Sequence, residues 1–182
     1  MGVLKNIKIE IIILLIVTLN VFLSFNLDIG FYNYFQNYNK SLNSSDLKEF
    51  FINITELGNS FWYFGISIFG IVFFYINKKF KIIIITQTNR LINFFVSAFF
   101  YLFVVGVVTQ ICKHIVGRPR PNHTNFEESL SFNFFSFDSS FHSFPSGHSS
   151  TIFMVCLILC VTFPKLKYLF YFLASIVAMS RV

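Results

Sequence analysis

Charge is the scarcest commodity in this sequence. Only 12% of its 182 residues are Asp, Glu, Lys or Arg, while 55% are hydrophobic. Soluble domains carry about 25% charged and about 45–50% apolar residues. That balance excludes an ordinary soluble domain and points to an integral membrane protein. Cysteine is sparse as well. Cys112, Cys156 and Cys160 make an odd number, with no disulfide framework and no zinc-type spacing. Cys156 and Cys160 stand one helical turn apart inside an apolar run, a placement that suits buried packing. No internal repeat is visible, and the length allows one compact domain, residues 1–182. A cleavage signal is also missing: "SFNLDIGF" behind the first apolar run offers no small-x-small site. That run therefore reads as an uncleaved anchor helix.

What is present is apolar sequence in five runs: Ile9–Phe25, Phe61–Ile76 (extended backwards through Ser60 and Gly58), Leu91–Cys112, Ser149–Phe163 and Tyr168–Met179. A membrane span needs about 20 such residues. The first three qualify, the fourth does if Ser146 to His148 form its first turn, and the fifth is short. The fold expected is an all-α integral membrane bundle with about five transmembrane helices. Phe accounts for 28 residues, too many for any single one to carry functional weight.

The net charge of +6 invites a nucleic-acid partner, but its distribution argues for a bilayer instead. Lys5 and Lys8 precede the first run, Lys78, Lys79, Lys81 and Arg90 separate the second and third, and Lys165 and Lys167 separate the fourth and fifth. In an alternating chain these segments share one side, the cytoplasm by the positive-inside rule, with the N-terminus inside. Negative charge is almost missing from that side: of the eight acids only Glu10 falls there. Six cations remain outside, and Lys113, Arg118, Arg120 and Arg181 among them sit at membrane boundaries where topology does not ask for them.

The first external loop carries Leu47, Phe50, Phe51, Ile54 and Leu57 at helical spacing, with Asp46 placed to cap and Glu49 three residues on. A short amphipathic helix on the membrane surface is expected there, beside the Tyr-rich "FYNYFQNYN" as an interfacial belt. The second loop, from Lys113 to about Pro145, has a middle, "SLSFNFFSFDSSFHSF", too irregular to assign. Sequons at Asn43, Asn53 and Asn122 matter only in a glycosylating host.

Two stretches bracket that second loop, "KHIVGRPRP" at 113–121 and "FPSGHSS" at 144–150. Pro145 suits the first turn of a helix, where its missing N–H has no partner to lose. Ser146 and Gly147 then present a hydroxyl and backbone N–H groups at the positive end of a helix, a ready anion site. His148 is a proton donor or acceptor near neutral pH. Arg118-Pro119-Arg120-Pro121 cannot continue a helix and holds its cations stiffly at the end of the third run. Because one loop joins the two stretches, Lys113, Arg120, Ser146, Gly147 and His148 can converge on one phosphate-sized volume, arginine with its fork and lysine as a point charge.

Lys113, six residues, Arg120-Pro121, and then Pro145-Ser146-Gly147-His148 beginning 25 residues after Arg120 resemble the first two motifs of the type 2 phosphatidic-acid phosphatase superfamily. Ser180-Arg181 resembles the start of its third. The resemblance covers the chain from about residue 58 to its end. It implies metal-independent phosphoryl transfer through a phosphohistidine, with no cofactor. Lys113, Arg120, Ser146, Gly147 and Arg181 would hold the phosphate oxygens, and His148 would protonate the leaving group. The substrate implied is a phosphorylated lipid: phosphatidate-like, phosphatidylglycerol-phosphate-like or a polyprenyl pyrophosphate. The expected location is a bacterial inner membrane, with the site facing the periplasm or exterior.

The family's nucleophilic histidine lies six residues after the third-motif arginine, and its orienting aspartate four further on. This sequence stops at Val182, so both positions and a sixth helix fall beyond it. The chain is accordingly expected to be a truncated, nearly inactive copy of a lipid phosphatase. The alternative is a pseudoenzyme that binds anionic headgroups without turnover. A channel or transporter is disfavoured, since Glu10 is the only charge inside a run. His114, His123 and His142 are substitute nucleophiles in principle and ordinary loop histidines in the first instance, and Arg118 is a flanking charge.

Overall fold

The computed structural model describes residues 30, 34, 37, 45–81, 83, 86–120 and 132–180. Two compact units divide the chain, residues 1–48 with Val182, and residues 49–181. The architecture below belongs to the second. The first apolar run and its anchor-helix reading lie outside the described residues, as do His123 and Arg181.

Every regular element among the described residues is helical: α1 Ser45–Glu56, α2 Ser60–Phe80, α3 Thr88–Val116, α4 Gly147–Thr162 and α5 Lys167–Met179. The four apolar runs in the described region each became a helix. The surface-loop helix is also there, but it begins at Ser45. Asp46 therefore lies inside the helix and not at its cap. Lengths differ from the expectation of five spans. The stretch Glu49–Phe80 and helix α3 are long and apolar enough to cross a membrane. Helices α4 and α5 have 16 and 13 residues. At about 1.5 Å per residue they fall short of a hydrocarbon core about 30 Å thick.

Helix α2 pairs with α3, α3 with α4, and α4 with α5. Aromatic edges lock the first pair: Phe64 meets Phe99 at 5.3 Å, and Phe74 stacks on Phe95 at 5.8 Å. At the far end of that pair the buried Asn77 closes the turn, its Oδ1 accepting the Ile83 N–H at 2.8 Å. The inner core lies between α4 and α5, where Ile152, Cys156, Ala174 and Val177 cluster and Ile54, Tyr63 and Phe170 pack around them. Cys156 is thus a packing residue. Outward faces are as apolar as the core: Phe61, Ile66, Phe69, Phe100 and Phe103 are all more than half exposed. A continuous apolar exterior of this kind belongs in lipid, and the chain is a membrane protein.

Candidate active site

The site forms at the end of the bundle where α3 stops and α4 begins. Helix α3 is ended by Gly117 more than by the prolines that follow. Gly117 has φ +55° and its N–H reaches back to Lys113 O, the left-handed stop that glycine adopts without penalty. A side chain there would also overlap the carbonyl of Asn133, because the returning loop lies directly on this glycine. Asn133 N–H donates to Gly117 O at 2.8 Å and Phe135 N–H to Ile115 O at 3.3 Å.

The loop that resisted assignment is therefore a clasp. Beyond Gly117 the chain is extended and bonded to the same loop. Arg120 N–H donates to Ser140 O at 2.9 Å, and Arg118 O accepts from both the N–H and the hydroxyl of Ser143, at 3.1 and 3.0 Å. Pro119, fully buried, is the plug between two arginines. The stretch does not simply project from α3, since its main chain is pinned along residues 140–143. His142 and His114 complete the clasp with rings 4.3 Å apart. His142 Nε2 donates to Ser136 O at 3.0 Å and His114 Nδ1 to Gln110 O at 2.7 Å. Both act as structural histidines here.

Across from the clasp, Ser146 caps α4. Its Oγ accepts the Ser149 N–H at 3.4 Å, and its carbonyl takes the Ser150 N–H at 3.0 Å. Pro145 stands just before the cap instead of in the first turn, because serine satisfies an orphan N–H and proline cannot. Gly147 and His148 form the first turn of α4, the positive end of the helix.

The two motifs meet. A methyl group on Gly147 would stand 3.9 Å from Lys113 Nζ, so the ammonium lies over the bare first turn of α4. Lys113, Ser146, Gly147 and His148 are all partly accessible, and the Arg120 side chain is exposed. The structure thus brings Lys113 against Gly147, whose chain neighbours are Ser146 and His148, bonds the main chain of Arg120 to Ser140, and does not describe Arg181. A lysine, a helix N-terminus and a hydroxyl close together are groups with which a tetrahedral anion can be held.

Two neighbours had no signal in the sequence. Gly58 lies against the backbone of His148, and Thr55 Oγ1 is 2.6 Å from Ser180 Oγ. Both stand at the corner between α1 and α2.

Residues 94–182 match the PAP2 superfamily. Over 133 residues, 71% of this chain, the sequence is 31% identical to proteins named lipid A 1-phosphatase from Rhizobium etli and Rhizobium johnstonii, covering 56% and 54% of their lengths. The chain thus spans about half the length of the curated relatives it matches. No solved structure gives a significant match.

Proposed function

The chain belongs to the PAP2 superfamily, and from that premise we propose that it is built to hold the phosphate of a phosphorylated lipid at the membrane surface and to release that phosphate by hydrolysis. The observation that carries this reading is the approach of Lys113 Nζ to Gly147, which joins the two motifs into one anion receptor. Lys113, Arg120, the Ser146 hydroxyl and the Gly147 N–H take the non-bridging oxygens, with Arg181 as a further ligand. Charge spread over those oxygens in the transition state is what such donors stabilise. The bond from phosphorus to the lipid oxygen breaks, and that oxygen takes a proton from His148 acting as general acid. The phosphoryl group passes to a histidine nitrogen and then to water. The place the resemblance gives that histidine comes after Val182, so residues 1–182 alone are expected to bind with turnover lower by several orders of magnitude.

Membership in this family favours a hydrolase; a headgroup binder would use the same cradle. The reading places the site at the outer face of a bacterial inner membrane, and the excess of Lys and Arg at the opposite helix ends supports that orientation. The test is orthovanadate binding to the detergent-purified chain, paired with phosphate release from a phosphorylated lipid. Arg120→Ala or Lys113→Ala is expected to weaken vanadate at least about tenfold, the loss of one charge-assisted contact of about 1.5–3 kcal/mol. Wild-type affinity in both variants refutes the site. Binding by a chain extended past Val182 that still releases no phosphate supports the binder over the enzyme.

A further inference from the structure

We infer that the corner between α1 and α2 is a wall of the phosphate site, in which Gly58 and Thr55 are positioning residues for His148 and for the end of α5. The inference rests on the phosphatase reading above and extends the site upstream of residue 94, where the family match begins.

The corner is a rigid piece of backbone. Three successive turn bonds close it, Leu57 N–H to Ile54 O at 3.1 Å, Gly58 N–H to Thr55 O at 2.9 Å and Asn59 N–H to Glu56 O at 3.0 Å. Asn59 then caps α2 by accepting the Phe61 N–H at 3.1 Å. Tyr63 Oη donates to Leu57 O at 2.6 Å from the next turn of α2. Ile54 and Tyr63, on either side of the corner, pack into the core between α4 and α5. The corner therefore moves with those two helices.

Gly58 is buried against His148. A Cβ on it would stand 2.7 Å from His148 Cβ, 2.9 Å from His148 O and 3.0 Å from His148 Cα. Ordinary carbon contacts lie at about 3.5–4.0 Å, so a methyl group would push the His148 backbone away by about 1 Å. Two of the three atoms met are main chain, and no side-chain rotation relieves them. Gly58 thus sets how deep His148 and the first turn of α4 sit.

Thr55 does the corresponding work at α5. The Ser180 hydroxyl donates to Val177 O at 2.7 Å, so it accepts at 2.6 Å from Thr55 Oγ1. Its hydrogen is committed inside the fold. Ser180 is therefore anchored at the end of α5. One corner thus registers the start of α4, with His148, against the end of α5 at Ser180.

The test uses the full chain in detergent, with orthovanadate as probe and thermal melting as a check on folding. Gly58→Ala is expected to weaken vanadate about tenfold or more, as a 1 Å misplacement of a site does. Gly65→Ala, where a Cβ meets open space, is expected to bind as wild type. Thr55→Val, which keeps shape and loses the hydroxyl, is expected to weaken binding about two- to tenfold, one hydrogen bond's worth, and Thr55→Ser to restore it. A structural role without positioning predicts lower melting with unchanged affinity, and equal affinities for Thr55→Val and Thr55→Ser. Either result overturns the inference while Arg120→Ala still abolishes binding. If Gly58→Ala does not fold, the threonine pair decides alone. A wild-type chain that ignores vanadate overturns the phosphatase reading, and the inference with it.

Discussion

Replacing Gly117 by alanine tests the clasp that positions the cations. Two costs follow from the structure. An L-residue at φ +55° pays about 1–2 kcal/mol for the left-handed conformation. The added Cβ also overlaps the Asn133 carbonyl, so the loop must lift and the bond from Asn133 N–H to Gly117 O is lost, a further 1 kcal/mol or so. Gly117→Ala is expected to destabilise the folded chain by about 2–3 kcal/mol, read as a shift in an SDS titration of the protein in mixed micelles. The comparison is Gly106→Ala, within α3 and facing open space, expected to be neutral or stabilising by up to about 1 kcal/mol from helix propensity. Vanadate affinity is expected to fall with Gly117→Ala, since residue 117 separates Lys113 from Arg120. A Gly117→Ala chain as stable as Gly106→Ala refutes the role given to the clasp.

Two further outcomes separate stability from binding. Ser146→Asp keeps a side-chain oxygen at the α4 cap, so stability in the same titration is expected to hold within about 0.5 kcal/mol, while vanadate binding is lost because a carboxylate occupies the anion's place; binding that survives removes Ser146 from the site. Asn77→Ala strips the buried acceptor from the Ile83 N–H at the opposite end of the bundle, and is expected to cost about 1–3 kcal/mol with vanadate affinity unchanged. A loss of affinity there contradicts the location of the site.

Helices were legible because the four described apolar runs are unbroken and longer than ordinary strands, and a helix satisfies its own backbone in an apolar medium. Helix ends were less so. Phe61–Ile76 grew to Ser60–Phe80, because Asn59 caps one end and Lys81, at φ 50°, closes the other. The prolines of 119–121 masked the true stop, a glycine two residues earlier, and Pro145 took the place in the sequence reading that Ser146 holds in the fold. The meeting of Lys113 with Gly147 was legible, since one loop joins the end of α3 to the start of α4 and so keeps both on one face. The clasp was not. Its bonds join main-chain groups remote in sequence, Gly117 to Asn133 and Arg120 to Ser140, and main-chain pairing leaves no signature in side-chain pattern. Nor was Gly58: one glycine before an apolar run reads as a turn, and nothing local says which backbone will press against it.

The clasp and the corner answer one electrostatic difficulty. Lys113, Arg118 and Arg120 crowd within eight residues of chain, and the positive end of α4 is set against them. Two unit charges about 8 Å apart repel by about 2 kcal/mol at an effective dielectric near 20, a repulsion that restraint of the backbone opposes. The restraints seen here act on main chain: the Gly117 stop, the Asn133 and Ser140 bonds, the Arg118 carbonyl held by Ser143, and buried Pro119. On the other side, Gly58 and Thr55 hold α4 and α5 by backbone contact and a hydroxyl bond. Fixing the backbone sets the register of the cations whatever their heads touch, and leaves less ordering to be done when a phosphate arrives. Preorganisation of that kind is where much of an anion site's affinity comes from.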